Sequence, residues 1–156
     1  MSILECSARA GREPQLSSGV TRSELIAWLR AQAFAVVSTT HGDGRAQGAV
    51  VGVAVTDAFE LVFDTLTTSR KCENLRRDGR CAVVAWRDAG TLQLEGIVDE
   101  PAGDERVRLV AHYLAAFPDG RTRAKLPTIA YFRIRPTWIR WSDFATEPPL
   151  IEEIAA

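Results

Sequence analysis

The segment LVFDTLTTSRK, residues 61–71, changes along its length from apolar to hydroxyl-rich to cationic. Its first residues are typical of a β-strand, whereas Thr-Thr-Ser at 67–69 is typical of the residues that precede a helix. Arg70 and Lys71 would then lie in the first helical turn, where backbone N–H groups have no helical partner and the helix dipole is positive. Unpaired donors and two fixed charges at one place predict an anion-binding seat, and a phosphate group on a small cofactor is its natural occupant.

Composition limits the classes of protein and partner. The 156 residues are enough for one domain with its own core, and the net charge of −1 argues against nucleic acid as a partner. We find no run of 18 or more apolar residues and no signal-peptide pattern, so we expect no membrane span. Three cysteines without C-x-x-C spacing and two distant histidines predict neither a disulfide framework nor a metal site. These features together indicate a cytoplasmic protein.

The chain divides into three parts. Residues 1–20 have no hydrophobic periodicity and are expected to form either a mobile arm or a segment that lies over a partner subunit. A globular domain is expected over residues 21–145, with an acidic tail over residues 146–156. About six strands, few helices and no β-α-β alternation make the domain mainly β and favour an antiparallel barrel over a doubly wound sheet.

Periodicity and turn residues place the elements of this domain. A capping box, Thr21 to Glu24, begins the first helix. Pro136 shifts the phase of the last strand and predicts a bulge or bend there. The third helix should present an apolar face of Val107, Val110, Ala111 and Leu114. Helices are predicted at 22–32, from 70 to a stop at 78–79, and at 104–117; strands are predicted at 34–40, 49–55, 60–64, 81–86, 91–98 and 129–141.

Several residues in this frame have ordinary structural interpretations. Arg76, Arg77 and Arg80 lie beyond the first turn of the second helix, so we expect them to form a solvated face. Cys72 is expected to pack in the core. Trp138 and Trp141 are three apart on a strand and therefore point to opposite faces, so one should be buried and the other should lie near a cofactor or subunit boundary.

The pattern T-x-x-x-S-R-K-x-x-N-L, from Thr65 to Leu75, resembles that of the pyridoxamine 5′-phosphate oxidase-like FMN-binding split-barrel family. The opening strand at 36–39 with its Gly-rich turn, and Arg135-Pro136 leading into Trp141, support the resemblance, which covers about residues 25–142. It implies a six-stranded antiparallel split β-barrel with flanking helices. It also implies an FMN-dependent oxidoreductase acting on a small molecule, with the flavin at a homodimer interface.

The resemblance further implies roles for individual residues, all of them in cofactor binding. The phosphate would be held by Arg70 and Lys71 together with Ser69 and Thr65. Asp64 would line the phosphate and ribityl region. The isoalloxazine ring would be bordered by Val50, Val51, Val53 and Trp141.

The chain departs from the family members that oxidise vitamin B6 phosphates. Ala49 and Ala54 stand where the R-x-V-L-L-K strand of those members has Arg and Lys, and the C-terminus is acidic, so that activity is not expected. No Ser-His-Asp order, H-E-x-x-H, Walker loop or G-x-G-x-x-G occurs, so no catalytic residue is assigned and the flavin would supply the reactivity. A non-catalytic carrier or sensor of flavin, deazaflavin F420 or haem with the same fold is the alternative, and Arg121, Arg123 and Lys125 could line a substrate pocket that an enzyme would need.

Overall fold

The computed structural model describes residues 19–156, so most of the predicted N-terminal arm lies outside the described residues. The helices are α1 (Arg22–Gln32), α2 (Arg70–Arg77) and α3 (Gly103–Ala116), followed by two short 3₁₀ turns at Pro118–Arg121 and Arg123–Lys125. The strands are β1 (Phe34–Thr40), β2 (Ala46–Gly52), β3 (Ala54–Val55), β4 (Leu61–Leu66), β5 (Arg80–Arg87), β6 (Gly90–Asp99), β7 (Ile129–Asp143) and β8 (Leu150–Ile154).

The strands form one antiparallel sheet in the order β2-β1-β5-β6-β7-β4-β3, with β8 added beside β7. This is the mainly β split barrel that the sequence predicts. The described strands number eight instead of six for two reasons. The predicted strand 49–55 is interrupted at Val53, whose N–H donates to Ala33 outside the ladder, and five residues of the predicted acidic tail form β8.

The predicted irregularity in the last strand is confirmed. β7 pairs with β6 along most of its length, and the register shifts where Glu95 faces Trp138 and Gly96 faces Pro136, which leaves Thr137 without a partner. The opposite edge of β7 pairs first with β4 and then with β8. The bulge therefore lies where β7 changes its neighbour, and it allows one long strand to serve both halves of the barrel.

α1 forms as predicted and covers one part of the core. The capping box is complete, because Thr21 accepts from the Glu24 N–H and the Glu24 carboxylate accepts from the Thr21 N–H. Leu25, Ile26 and Leu29 are buried in the main hydrophobic cluster, and Trp28 packs against its edge.

α3 buries a different face from the predicted one. Val107 is 69% exposed and Ala111 is also exposed, whereas Leu109 and Tyr113 are buried against β4 and β7. Val110 and Leu114 border this contact. The prediction was wrong for Val107 and Ala111 because it left Leu109 and Tyr113 out of the apolar face; the Tyr113 ring packs in the core while its hydroxyl reaches a carboxylate.

Three further features of the described chain concern membrane spans, cysteines and metal ligands. No helix between residues 19 and 156 has the length and hydrophobicity that a bilayer crossing requires. Cys72 and Cys81 are buried free thiols. The same residues include no group of three His, Cys, Asp or Glu side chains placed to hold a metal ion.

Candidate functional site

The junction between β4 and α2 has the geometry of a capped helix start. Ser69 is the N-cap residue with extended backbone angles, and its Oγ accepts from the Cys72 N–H at 3.3 Å. The Oγ1 of Thr65, at the end of β4, lies 3.0 Å from Ser69 Oγ. Two hydroxyls thus fix the start of α2 and hold Arg70 and Lys71 in its first turn.

Arg70 and Lys71 border a groove between the start of α2 and the strands β1 and β2. Neither side chain makes an ion pair or hydrogen bond with any residue from 19 to 156, and no lining residue is acidic. The groove has a volume of about 340 Å³. We call it the α2 groove; its lining consists of Thr39, Gln47, Gly48, Ala49, Ser69, Arg70 and Lys71.

The arginines beyond the first turn of α2 differ from Arg70 and Lys71 because each has a protein partner. Arg76 forms two hydrogen bonds with Glu100, both at 2.9 Å, and Arg80 pairs with Asp78. Arg77 donates to the Thr40 carbonyl oxygen. These three side chains are exposed, as predicted for a solvated face, but each also has a protein partner.

A buried amide connects α2 to the strand wall of the groove. Asn74 is 1% exposed, and its Nδ2 donates to Thr39 Oγ1 and to Gln47 Oε1, both at 2.9 Å. Its Oδ1 accepts from Arg77 at 3.4 Å. In the sequence, Asn74 is part of the family pattern, but neither Thr39 nor Gln47 is predicted to line a site. The available signal was that both occupy inward-facing positions of strands whose other inward positions are apolar.

Asp64 lies away from the α2 groove. It alternates with Thr65 along β4 and faces α3, where it accepts from the Tyr113 hydroxyl at 2.9 Å and from Arg123 Nε at 2.7 Å. Burial, reinforced by the hydrogen bond to Asp64, raises the pKa of Tyr113. The structure therefore brings Ser69, Arg70 and Lys71 together with Thr65 but places Asp64 in a separate cluster.

The residues predicted to border a flavin ring are spread over three environments. Val50 is 65% exposed on the outside of β2, whereas Val51 and Val53 are in the core. Trp141 is 2% exposed and packs edge-to-face on Trp28 with ring centroids 4.9 Å apart. Its Nε1 is buried and has no hydrogen-bond partner between residues 19 and 156. None of these four side chains lines the α2 groove.

Cys72 is a packed thiol at the start of α2. It is fully buried in the main cluster, and burial raises its pKa despite the nearby charges of Arg76 and Lys71. A raised pKa keeps the thiol protonated at neutral pH and makes it a poor nucleophile. This agrees with the packing role expected from the sequence.

A second hollow of about 470 Å³ lies where α3 meets the 3₁₀ turns. We call it the loop hollow; it is lined by Leu114, Arg121, Thr122, Ala124 and Lys125. Arg123, which the sequence grouped with Arg121 and Lys125, is tied instead to Asp64 and Asp119. The hollow thus combines an apolar floor with two cations.

Known structures share this fold. The chain is similar to a heme-binding protein from Mycobacterium smegmatis, with a TM-score of 0.72 and 18% identity over 87% of the chain. The chain spans only 60% of that protein's length. A pyridoxamine 5′-phosphate oxidase-related, FMN-binding protein from Nostoc punctiforme matches with a TM-score of 0.65 and 10% identity, over 90% of this chain and 99% of its own. A heme storage protein from Vibrio cholerae matches with a TM-score of 0.65 and 12% identity, over 74% of this chain and 89% of its own.

Sequence comparison identifies the family. A comparison with curated proteins gives no match. The family model described as pyridoxamine 5′-phosphate oxidase matches residues 21–142, which is most of the chain and includes β4, α2 and the α2 groove. The chain therefore belongs to the pyridoxamine 5′-phosphate oxidase family.

Proposed function

We propose that this protein is an FMN-dependent oxidoreductase whose α2 groove binds the phosphate group of FMN. One observation carries the proposal: Arg70 and Lys71 have no partner among the described residues and lie at the positive end of a helix. Positive charges at the positive end of the helix dipole are unfavourable for the helix unless an anion neutralises them. A dianionic phosphate would satisfy both cations and the free N–H groups of the first turn.

The chemistry of the groove fits a phosphorylated flavin. Its lining contains no carboxylate to repel a phosphate, and Ser69 and Thr65 add hydroxyls at the helix start. β2 is an edge strand, so one row of its backbone groups around Val50 and Val51 has no strand partner and could hydrogen-bond the edge of the isoalloxazine ring. When bound, FMN supplies hydride chemistry at its N5 atom, so the protein needs no nucleophile of its own.

Heme is the main competing ligand, because two of the structural neighbours are described as heme-binding or heme-storing proteins. The α2 groove argues against heme at this place. None of the residues that line it is a His, Cys, Met or Tyr, the side chains that serve as axial ligands of heme iron. A carrier of flavin or of F420 remains the alternative to an enzyme; the loop hollow, with Arg121 and Lys125, favours the enzyme because it offers room for an anionic substrate.

We further propose that the site is completed in a homodimer. The outward side of β2, β1 and β5 is apolar: Val36 pairs with both Val50 and Val84, and Phe34, Val50 and Trp86 are 59%, 65% and 58% exposed. An apolar area of this kind marks a protein interface. A second chain on it would lie next to the α2 groove, since Gly48 and Val50 belong to the same strand. Val53 and Trp141 are buried in the core, so they would affect the flavin only through the packing of the strands that border it.

Spectroscopy of the purified protein tests the proposal. FMN should bind with a flavin absorption spectrum and quenched fluorescence, more tightly than riboflavin, and light scattering should give the mass of a dimer. Stopped-flow mixing with NADH or NADPH, followed by reoxidation, should show turnover. A protein that binds heme or F420 but not FMN would overturn the cofactor assignment, and bound FMN without turnover would favour the carrier.

A further inference from the structure

In the hydrogen-bond network behind the α2 groove, the donor and the acceptor of each bond can be assigned. A guanidinium can only donate hydrogen bonds, so the Asn74 atom facing Arg77 must be the carbonyl oxygen. The Asn74 amide nitrogen must therefore face the strands, where it uses both of its hydrogens on Thr39 and Gln47. Arg77 is itself held by the Thr40 carbonyl, which anchors the start of the network.

The orientation of the Asn74 amide determines which groups of its two strand partners are left to face the groove. Because Gln47 Oε1 accepts from Asn74, the Gln47 amide nitrogen is the end left for a ligand. Thr39 Oγ1 also accepts from Asn74, so its own proton remains available for donation. Both residues line the groove opposite two cations, which are donors as well. The polar groups of the side chains from Gln47, Thr39, Arg70 and Lys71 thus all present hydrogen-bond donors.

We infer that Gln47 is a specificity-determining residue that donates a hydrogen bond to an acceptor oxygen of the bound ligand, and that Asn74 is the positioning residue that fixes this polarity. The inference rests on the proposed function, because it takes the ligand to be FMN. The acceptor is either a phosphate oxygen or an oxygen of the ribityl-flavin portion. Ligands that present donors at this wall would leave buried polar groups unpaired and would be rejected.

Gln47→Glu tests the inference with little change in shape. At neutral pH the introduced carboxylate turns a donor into a charged acceptor, and FMN affinity should fall about 10- to 100-fold. As the pH falls through the pKa of the introduced carboxyl, about 4.3 in model peptides, a protonated carboxyl can donate again. The ratio of wild-type to variant affinity should then return toward one. Gln93→Glu adds the same charge outside the groove lining; because Gln93 pairs with Val84 on the proposed dimer face, light scattering should confirm that this control is still a dimer, and its effect on affinity should be much smaller than that of Gln47→Glu.

Asn74→Asp provides a second test of the inference, because a carboxylate cannot donate a hydrogen bond to Gln47. It should weaken FMN in the wild-type background but have little effect in a Gln47→Ala background, as expected when one residue acts through the other. Thermal unfolding of the ligand-free variants separates lost binding from lost folding. Riboflavin locates the acceptor: a loss confined to FMN indicates a phosphate oxygen, and an equal loss for riboflavin indicates the rest of the flavin.

The outcomes separate this inference from the proposed function. Wild-type protein that fails to bind FMN removes the proposed function and the inference with it. Wild-type protein that binds FMN, combined with unchanged affinity in Gln47→Glu or a loss that persists at low pH, overturns the inference alone.

Discussion

The two ends of α2 carry the same kind of side chain in opposite electrostatic settings. At the C-terminal end, Arg76 and Arg77 lie where the helix dipole favours cations, and both have protein partners. At the N-terminal end, Arg70 and Lys71 lie where the dipole disfavours cations, and neither has a partner among residues 19–156. One eight-residue helix thus contains one pair of cations that supports the fold and another that opposes it.

This difference supports the proposal that the N-terminal end of α2 binds a ligand. A cation in the first turn of a helix costs a few tenths of a kcal/mol to about 1 kcal/mol, and a partner on the protein would normally offset that cost. Arg70 and Lys71 lack such a partner while the hydroxyls of Ser69 and Thr65 still fix the helix start. We propose that a ligand anion supplies the missing counter-charge. The contrast predicts that the two ends respond oppositely to substitution.

The largest expected effect is on ligand binding at the N-terminal end. Arg70→Ala with Lys71→Ala should weaken FMN about 100-fold or more, because two charge-assisted hydrogen bonds to phosphate are lost. Riboflavin affinity should change little. The free energy of unfolding of the ligand-free protein should stay the same or rise slightly, because the double variant removes cations from the positive end of the helix. Fluorescence titration and urea denaturation measure the two quantities.

The matched control for this double variant is Arg76→Ala with Arg80→Ala, which removes the same charge from the other end. It should change FMN affinity less than about threefold, since exposed charges at this distance are screened by salt. Equal losses of FMN and riboflavin in the Arg70/Lys71 double variant would contradict the phosphate assignment. Equal losses in both double variants would mean that net charge, and not position, governs binding.

The capped start of α2 was predictable from sequence because its signals are local. Hydroxyl residues before two cations at the end of an apolar run define a capped helix start within 11 residues, from 61 to 71. The β-rich run at 34–40 and the phase shift at Pro136 are equally local, and the structure has both features. The family resemblance added the split barrel, which the family match and the sheet order confirm.

The other wall of the groove depends on contacts between residues far apart in sequence. Asn74 meets Gln47 across 27 positions and Thr39 across 35, and neither spacing leaves a periodic signal. The separation of Asp64 from the groove is also tertiary, since it depends on Tyr113 and Arg123 in a later helix and turn. β8 was missed because an acidic segment becomes a strand only when the edge of β7 is available beside it.

At the C-terminal end of α2, substitution of a cation should reduce the stability of the fold, because the cation there binds the protein and not the ligand. Arg77→Ala removes the donor to the Thr40 carbonyl and leaves the buried Asn74 Oδ1 without its partner. An unsatisfied buried acceptor costs about 1–3 kcal/mol, so the free energy of unfolding should fall by roughly that amount. Arg80→Ala, which removes only an exposed ion pair with Asp78, should lower stability slightly and by clearly less than Arg77→Ala in the same urea titration. A loss no larger for Arg77 than for Arg80 would show that the Asn74 network adds nothing to stability.

The smallest effect concerns Asp78, an acid at the negative end of α2 and so the mirror image of Arg70 and Lys71. Hydrogen bonds from Arg80 lower the pKa of Asp78 to about 2, which compensates for its unfavourable position. Because the pKa of Asp78 in the folded protein lies below its ordinary value of 3.8, the ionised carboxylate contributes stability above about pH 4, and that contribution is lost as the pH falls toward 2. Asp78→Asn should therefore reduce stability at neutral pH, and its difference from wild type should shrink over that interval in urea titrations at successive pH values. A difference that stays constant with pH would mean that the Asp78 charge does not contribute. Asp78 has an unfavourable position in the helix dipole but a protein partner, so its substitution should affect only stability. Arg70 and Lys71 have an unfavourable position and no partner among residues 19–156, so their substitution should affect binding.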